Sequence, residues 1–183
     1  MAATAAAGPV GPAGHGTTPR RPKRGPLLSG TKIADYTEKC PRWIEIKGST
    51  IPGAGRGAFA ATDLPKGVYL GEYAGKLYDY DWAMKNLPDD TYFFEVGQRR
   101  SERFPRKIID AQDEAFANWT RFMNCSTAKT ANILGYTVGH HVEFYARHDI
   151  PAGTELLYYY GLEYARSLGV VPEHRKRKRE RED

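Results

Sequence analysis

RFMNCS, residues Arg121 to Ser126, sets an Asn and a thiol in the middle of an apolar, aromatic segment. Asn forms neither helix nor strand well. Once buried, its amide costs about 1–3 kcal/mol unless its oxygen and both its hydrogens find partners. The segment therefore predicts a specific partner for Asn124. Read alone, it also suits a core stretch in which that partner is neighbouring backbone.

The flanking sequence reads as short strands. Upstream, WIEIKGS (43–49), GAFAAT (57–62) and GVYLGEYAG (67–75) are β-branched or aromatic runs bounded by Gly or Pro. DYDWAMKNL (79–87) predicts a short helix ended by Pro88. TYFFEV (91–96) and KIIDA (107–111) predict strands separated by the basic stretch GQRRSERFPR (97–106), and DEAFANWTRFM (113–123) predicts a helical turn leading into Asn124. Downstream, ANILGYTVG and HVEFYARHDI predict a hairpin turning on Gly139-His140-His141, followed by the strand GTELLYYYG (153–161). LEYARSLG (162–169) has helical propensity. The whole predicts a mainly β chain with short helices, an α+β fold in one domain.

Composition bounds the function. The 183 residues carry 40% hydrophobic and 12% aromatic side chains, enough for one sizeable core. Cys40 and Cys125 stand singly and far apart, which suits neither a disulfide framework nor a zinc site and points to a reducing setting. No apolar run approaches the roughly 20 residues a membrane helix needs, so no membrane partner is expected. Residues 1–34 hold Arg20, Arg21, Lys23, Arg24 and Lys32 with no acid, and residues 173–183 hold six bases against four acids. Subtracting both from the total of +5 leaves −2 for residues 35–172. The expected organisation is thus a disordered Ala/Gly/Pro-rich basic tail (1–34), a slightly acidic domain (35–172) and a second disordered basic tail (173–183). A mildly acidic body attracts a basic partner, while RKRKR (175–179) suits nuclear import or weak nucleic-acid contact.

Two further stretches carry chemistry. In PGAGRGAFA (52–60) the alternate glycines Gly53, Gly55 and Gly57 lack the Cβ atoms that would hold a ligand off the backbone, although a plain glycine-rich turn would look the same. On a strand, alternation sends Tyr158 and Tyr160 to one face and Tyr159 to the other, so that two phenols can line a slot or simply fill a core.

Taken in order, PGAGRGAFA, KGVYLGEYAG, IDA (109–111), RFMNCS and ARHDIPAGTELLYYYG (146–161) resemble the SET-domain protein lysine methyltransferases, over about Trp43 to Gly161. ANWTRFMNC resembles the PR-type branch of that family. The usual Asn-His-Ser-Cys followed by Pro-Asn differs here: Cys125 stands for His, Thr127 for Cys, and Ala131-Asn132 arrives two residues late. Cysteines for the zinc clusters that flank many members are missing as well. The resemblance implies a SET fold of several small sheets with a knot-like C-terminal crossing over RFMNCS. It implies S-adenosyl-L-methionine as cofactor and no metal at the site. The cofactor would be held by Ala54, Gly55, Arg56, Asn124, Cys125 and Tyr160 and covered by Tyr164. Tyr73, Tyr158, Phe122 and Met123 would contact the substrate lysine, and Tyr160 would be catalytic. A tyrosine at position 158 implies mono-methylation. The implied partner is a histone tail or another lysine-bearing protein, in the nucleus. The alternative is a non-catalytic PR/SET-like chromatin adaptor, and a weaker third is a nucleic-acid binder working through its basic ends.

Overall fold

Short apolar runs broken by Gly and Pro become ten strands and one helix among the residues that the computed structural model describes, 27–29 and 36–161. In chain order these are β1 (Ile44–Gly48), β2 (Arg56–Ala60), β3 (Tyr69–Glu72), β4 (Lys76–Asp79), α1 (Tyr80–Asn86), β5 (Phe93–Val96), β6 (Lys107–Asp110), a 3₁₀ turn (Trp119–Phe122), β7 (Asn124–Cys125), β8 (Ile133–Val138), β9 (His141–Ala146) and β10 (Leu157–Tyr158). They form three small sheets: β1-β2, the five-stranded β3-β9-β8-β10-β7, and β4-β6-β5. The mainly β expectation holds. Most of the first tail, all of the second, the LEYARSLG segment and Tyr164 lie outside the described residues. Among the described residues no helix is long and apolar enough to cross a membrane.

Local chemistry accounts for most boundaries. Helix α1 stops at Leu87, whose backbone is extended because the following Pro88 disfavours the helical region for the residue before it. The β8–β9 hairpin pairs Val138 with His141, so its turn is Gly139-His140, one residue shorter than expected. GVYLGEYAG divides into β3 and the approach to β4 instead of running as one strand. The break lies at Gly75, where a Cβ would stand 2.6 Å from the carbonyl carbon of Asp110, so the chain passes too close to β6 for any side chain. Within β3 the register with β9 shifts between Tyr69 and Gly71, and Gly71 takes φ 131°, a value open to glycine.

GTELLYYYG is also interrupted. Glu155 bridges Phe59 of β2, and Leu156 N–H donates to Ala58 O at 2.7 Å. Two residues on, the chain has changed sheets: Leu157 pairs with Asn124, and Tyr158 pairs with Cys125 and Ile133, all in parallel. The segment is short as a strand because it is divided between two ladders. Alternation nonetheless survives, with Tyr158 and Tyr160 buried and Tyr159 half-buried.

Trp43 and Trp119 anchor the main core, Trp43 against Tyr36 at 4.7 Å between ring centroids. Neither indole N–H has a partner among the described residues. Each ring buries about 150–250 Å², worth about 4–6 kcal/mol at 25 cal/mol/Å². That exceeds the 1–3 kcal/mol or so of an unmet donor.

Gly75→Ala is expected to lower stability by about 1–3 kcal/mol through overpacking against Asp110. Gly48→Ala, whose Cβ would meet nothing within 4 Å, is expected to leave it within about 0.5 kcal/mol. Urea denaturation of both variants checks this, and equal midpoints would contradict the close approach.

Candidate active site

The parallel pairing of β7 with β10 brings Asn124 under the switch point of the C-terminal segment. Its Nδ2 lies 3.0 Å from Glu155 Oε1, 3.1 Å from Arg56 O and 3.1 Å from Ser49 Oγ. A carboxylate and a carbonyl can only accept, so the amide nitrogen must face them and Oδ1 points away. Oδ1 accepts no hydrogen bond among the described residues. The partner that the sequence demanded for Asn124 is therefore found on one side of the amide only.

Glu155 is the residue that sequence reasoning missed. It is 5% exposed and accepts from Ser49 Oγ at 2.7 Å, from Thr50 N–H at 2.8 Å, from the Thr50 hydroxyl and from Asn124. Burial pushes its pKa up, but the bonds from Ser49, Thr50 and Asn124 more than offset this, and the carboxyl sits below its ordinary value. The magnitudes agree with that balance: each hydrogen bond to a charged group is worth about 1.5–3 kcal/mol, against several kcal/mol to desolvate the ion. Asn132 then locks the segment in place. Its Nδ2 donates to Glu155 O at 2.7 Å, and its Oδ1 accepts from Leu157 N–H at 2.8 Å.

The loop held by Glu155 is the glycine-rich one. Gly53 and Gly55 adopt φ 79° and 73°, and an added Cβ at either would meet nothing within 4 Å. The glycines serve the turn's conformation and leave open space beside Gly53 and Gly55, while Ala54 N–H donates to Ile51 O at 3.1 Å and Ser49 N–H to Gly55 O at 2.9 Å. Gly57 is different, since a Cβ there would run into the Glu155 carboxylate. Beyond the loop, Arg56 stacks over the Phe122 ring at 4.4 Å and shares Glu114 with Arg121, at 2.7 Å from each. Arg121 also covers Tyr92 at 4.0 Å.

On the other side of β7 lies an aromatic cluster. Tyr158 is 5.7 Å from Tyr160, 5.3 Å from Phe144 and 6.2 Å from Phe94, and Tyr73 is 5.2 Å from Phe94. The Tyr160 hydroxyl donates to Met123 O, which fixes the phenol, while Tyr73 donates to Tyr92 O at 2.9 Å. Burial drives the Tyr158 pKa strongly upward, so this phenol stays neutral. Burial likewise raises the Cys125 thiol, opposed by the Tyr160 N–H, so it is no thiolate nucleophile at neutral pH. Gly135 makes room for Tyr158, as a Cβ there would lie 2.7 Å from its hydroxyl.

The fold thus gathers Tyr73, Tyr158, Tyr160, Met123, Asn124 and Cys125, with Ala54, Gly55 and Arg56 on the adjoining loop and Phe122 beneath the Arg56 guanidinium. A cleft of about 380 Å³ lies beside this group, lined by Tyr36, Tyr69, Glu72, Tyr73, Phe116 and His141 among others. Of the expected site residues it touches Tyr73 alone. Among the described residues no three His, Cys, Asp or Glu side chains are placed to hold a metal ion.

Residues 44–171 match the family model described as the PR domain of PR domain zinc finger protein 2. Among curated proteins, the chain is 29% identical over 132 residues to the human histone-lysine N-methyltransferase PRDM7, covering 71% of this chain and 25% of that one. The chain thus spans about a quarter of the length of that relative. Among solved structures, it resembles the methyltransferase domain of human PR domain-containing protein 2, with a TM-score of 0.55 and 20% identity over 80% of this chain and 94% of that one. It also resembles the Chaetomium thermophilum polycomb repressive complex 2, with a TM-score of 0.50 and 28% identity over 65% of this chain and 15% of that one.

Glu155→Gln is expected to cost about 1.5–3 kcal/mol at pH 7 by removing the charged acceptor. Because the folded carboxyl titrates below its ordinary 4.5, the carboxylate's advantage is complete above that pH and is lost as pH falls through the lower folded value. Thermal melts of wild type and variant should therefore converge in acid. A gap that stays constant from pH 7 to below the ordinary value would remove the charge from the explanation.

Proposed function

This chain belongs to the PR-domain family, and from that membership we propose that it is an S-adenosylmethionine-dependent protein lysine N-methyltransferase that acts on histone tails in the nucleus. The observation that carries the reading is the meeting of Tyr158, Tyr160 and the Met123 carbonyl on one side of β7 with Asn124 and the glycine loop on the other.

The residues fit the cofactor. The Oδ1 of Asn124, turned away from its acceptors, suits an ammonium group, and the open space beside Gly53 and Gly55 suits the cofactor's amino-acid portion. Ala54, Gly55 and Arg56 would hold it through the main chain, with Cys125 and Tyr160 beside it. When bound, the cofactor supplies an electrophilic methyl group on a sulfonium.

The protein must then deliver a neutral amine. A free lysine has a pKa near 10.4, so at pH 7 its deprotonation costs about 4.6 kcal/mol. Tyr158 does not take that proton as a base, because burial holds its phenol neutral. The aromatic walls act by desolvation, which disfavours the ammonium form. Tyr160, its hydrogen committed to Met123, offers oxygen lone pairs that align the amine for attack. The Phe122 and Met123 backbone lines the approach. Tyr73 borders both the aromatic cluster and the cleft, so the lysine-bearing segment lies along the cleft, where Glu72 attracts its basic neighbours. The Tyr158 hydroxyl occupies space that a methylated amine would need, which makes mono-methylation the main outcome.

With labelled cofactor and core histones, Tyr160→Phe is expected to cut kcat at least about a hundredfold, roughly 2.7 kcal/mol, with KM little changed. Incorporation surviving in that variant would refute the mechanism, and none in the wild type would leave a non-catalytic chromatin adaptor. Mass spectrometry of the product peptide should show a single methyl from the wild type and a rise in dimethyl-lysine from Tyr158→Phe. Trimethyl-lysine as the main wild-type product would rule out the role given to Tyr158.

A further inference from the structure

The body of the protein is slightly acidic, yet the β5–β6 loop, residues 97–106, concentrates four arginines. Arg106 is spent within the fold. It bonds Glu95 at 2.6 and 3.0 Å and lies 3.4 Å over the Tyr80 ring. Lys107, next in the chain, bonds Asp79 at 2.8 Å. Arg99, Arg100 and Arg103 are exposed and make no ion pair among the described residues, and Glu102 is the one acid on the loop.

The loop that carries them is braced. Gln98 N–H donates to Phe104 O at 2.8 Å, Phe104 N–H to Ser101 Oγ at 3.0 Å and Gly97 N–H to Gly139 O at 3.2 Å. His140 Nε2 lies 2.8 Å from Pro105 O, and its ring meets the Phe104 edge at 5.7 Å. A Cβ at Gly139 would lie 2.7 Å from the Phe104 ring, so the partly exposed Phe104 packs against the β8–β9 turn. Arg103 covers that ring at 5.2 Å, which leaves it unsuited to stacking on a base. Three cations therefore stand on a platform whose ordering cost has already been met within the fold.

From this we infer that the β5–β6 loop is a docking surface for the phosphate backbone of duplex DNA, engaged through Arg99, Arg100 and Arg103. Guanidinium groups pair with phosphate oxygens bidentately. A duplex presents about one negative charge per 1.7 Å of its axis, so a single loop can meet two or three phosphates. A continuous anionic line also presents successive phosphates to all three guanidinium groups at once, which a short acidic peptide does not. Contacts made to the phosphate line alone carry no base information, so the binding is blind to base sequence. This inference does not depend on methyl transfer.

The test is fluorescence anisotropy of the full chain on a short mixed-sequence duplex, between about 50 and 200 mM salt. Arg99→Ala/Arg100→Ala/Arg103→Ala is expected to weaken binding about tenfold and to flatten the slope of log K against log salt by about 2–3, at roughly 0.9 for each phosphate left unneutralised. The corresponding triple Lys variant should keep the slope, and the melting temperature of each variant should match the wild type. A slope unchanged in the Ala variant, or no binding by the wild type, would overturn the inference. So would an equal loss of affinity for poly-glutamate, which would assign the loop to an acidic protein instead.

Discussion

A buried carboxylate between two sheets is the constraint from which the candidate site is built. Glu155 leaves the β2 ladder with its main chain and returns to the loop before β2 with its side chain, where Ser49 and Thr50 donate to it. Its remaining donor is Asn124 on β7, a strand of a different sheet. One anion thus binds the glycine loop, the Asn124 strand and the tyrosine segment. Without it the Asn124 amide would lose a charged acceptor, and the loop would lose the group against which Gly57 is fitted.

That tie also explains why chemistry can be divided between the faces of a two-residue strand. In β7, alternation turns Asn124 towards the loop and Cys125 towards the buried interior. The tyrosine segment crosses beside it in parallel, so Tyr158 and Tyr160 arrive at the interior face two residues apart. Polar recognition and an aromatic, water-poor region are therefore separated by one strand.

The charged periphery has its own logic. Several cations of the domain are paired locally, as with Lys76 and Asp113 or Arg56, Arg121 and Glu114. Such surface pairs add little stability, but they cancel the local field. The β5–β6 loop gathers three exposed arginines, with no ion pair among the described residues, on one braced turn beside His140. The cleft carries one carboxylate, Glu72, which lies 3.5 Å from His141 Nδ1.

Much of this was legible along the chain. Short β-branched runs between Gly and Pro fixed the strands, the Pro88 boundary fixed α1, and the spacing of Tyr158 and Tyr160 fixed their common face, because each depends on neighbours within a few residues. The order of the glycine loop, RFMNCS and the tyrosine segment carried the family resemblance. Glu155 was invisible, since in GTELLYYYG it reads as an ordinary outward-facing residue, while its partners Ser49 and Asn124 stand 106 and 31 residues away. The division of that segment between two sheets was hidden for the same reason. Hydrogen-bond partners of a buried charge are chosen by proximity in space, and only the assembled sheets decide which distant donors reach it.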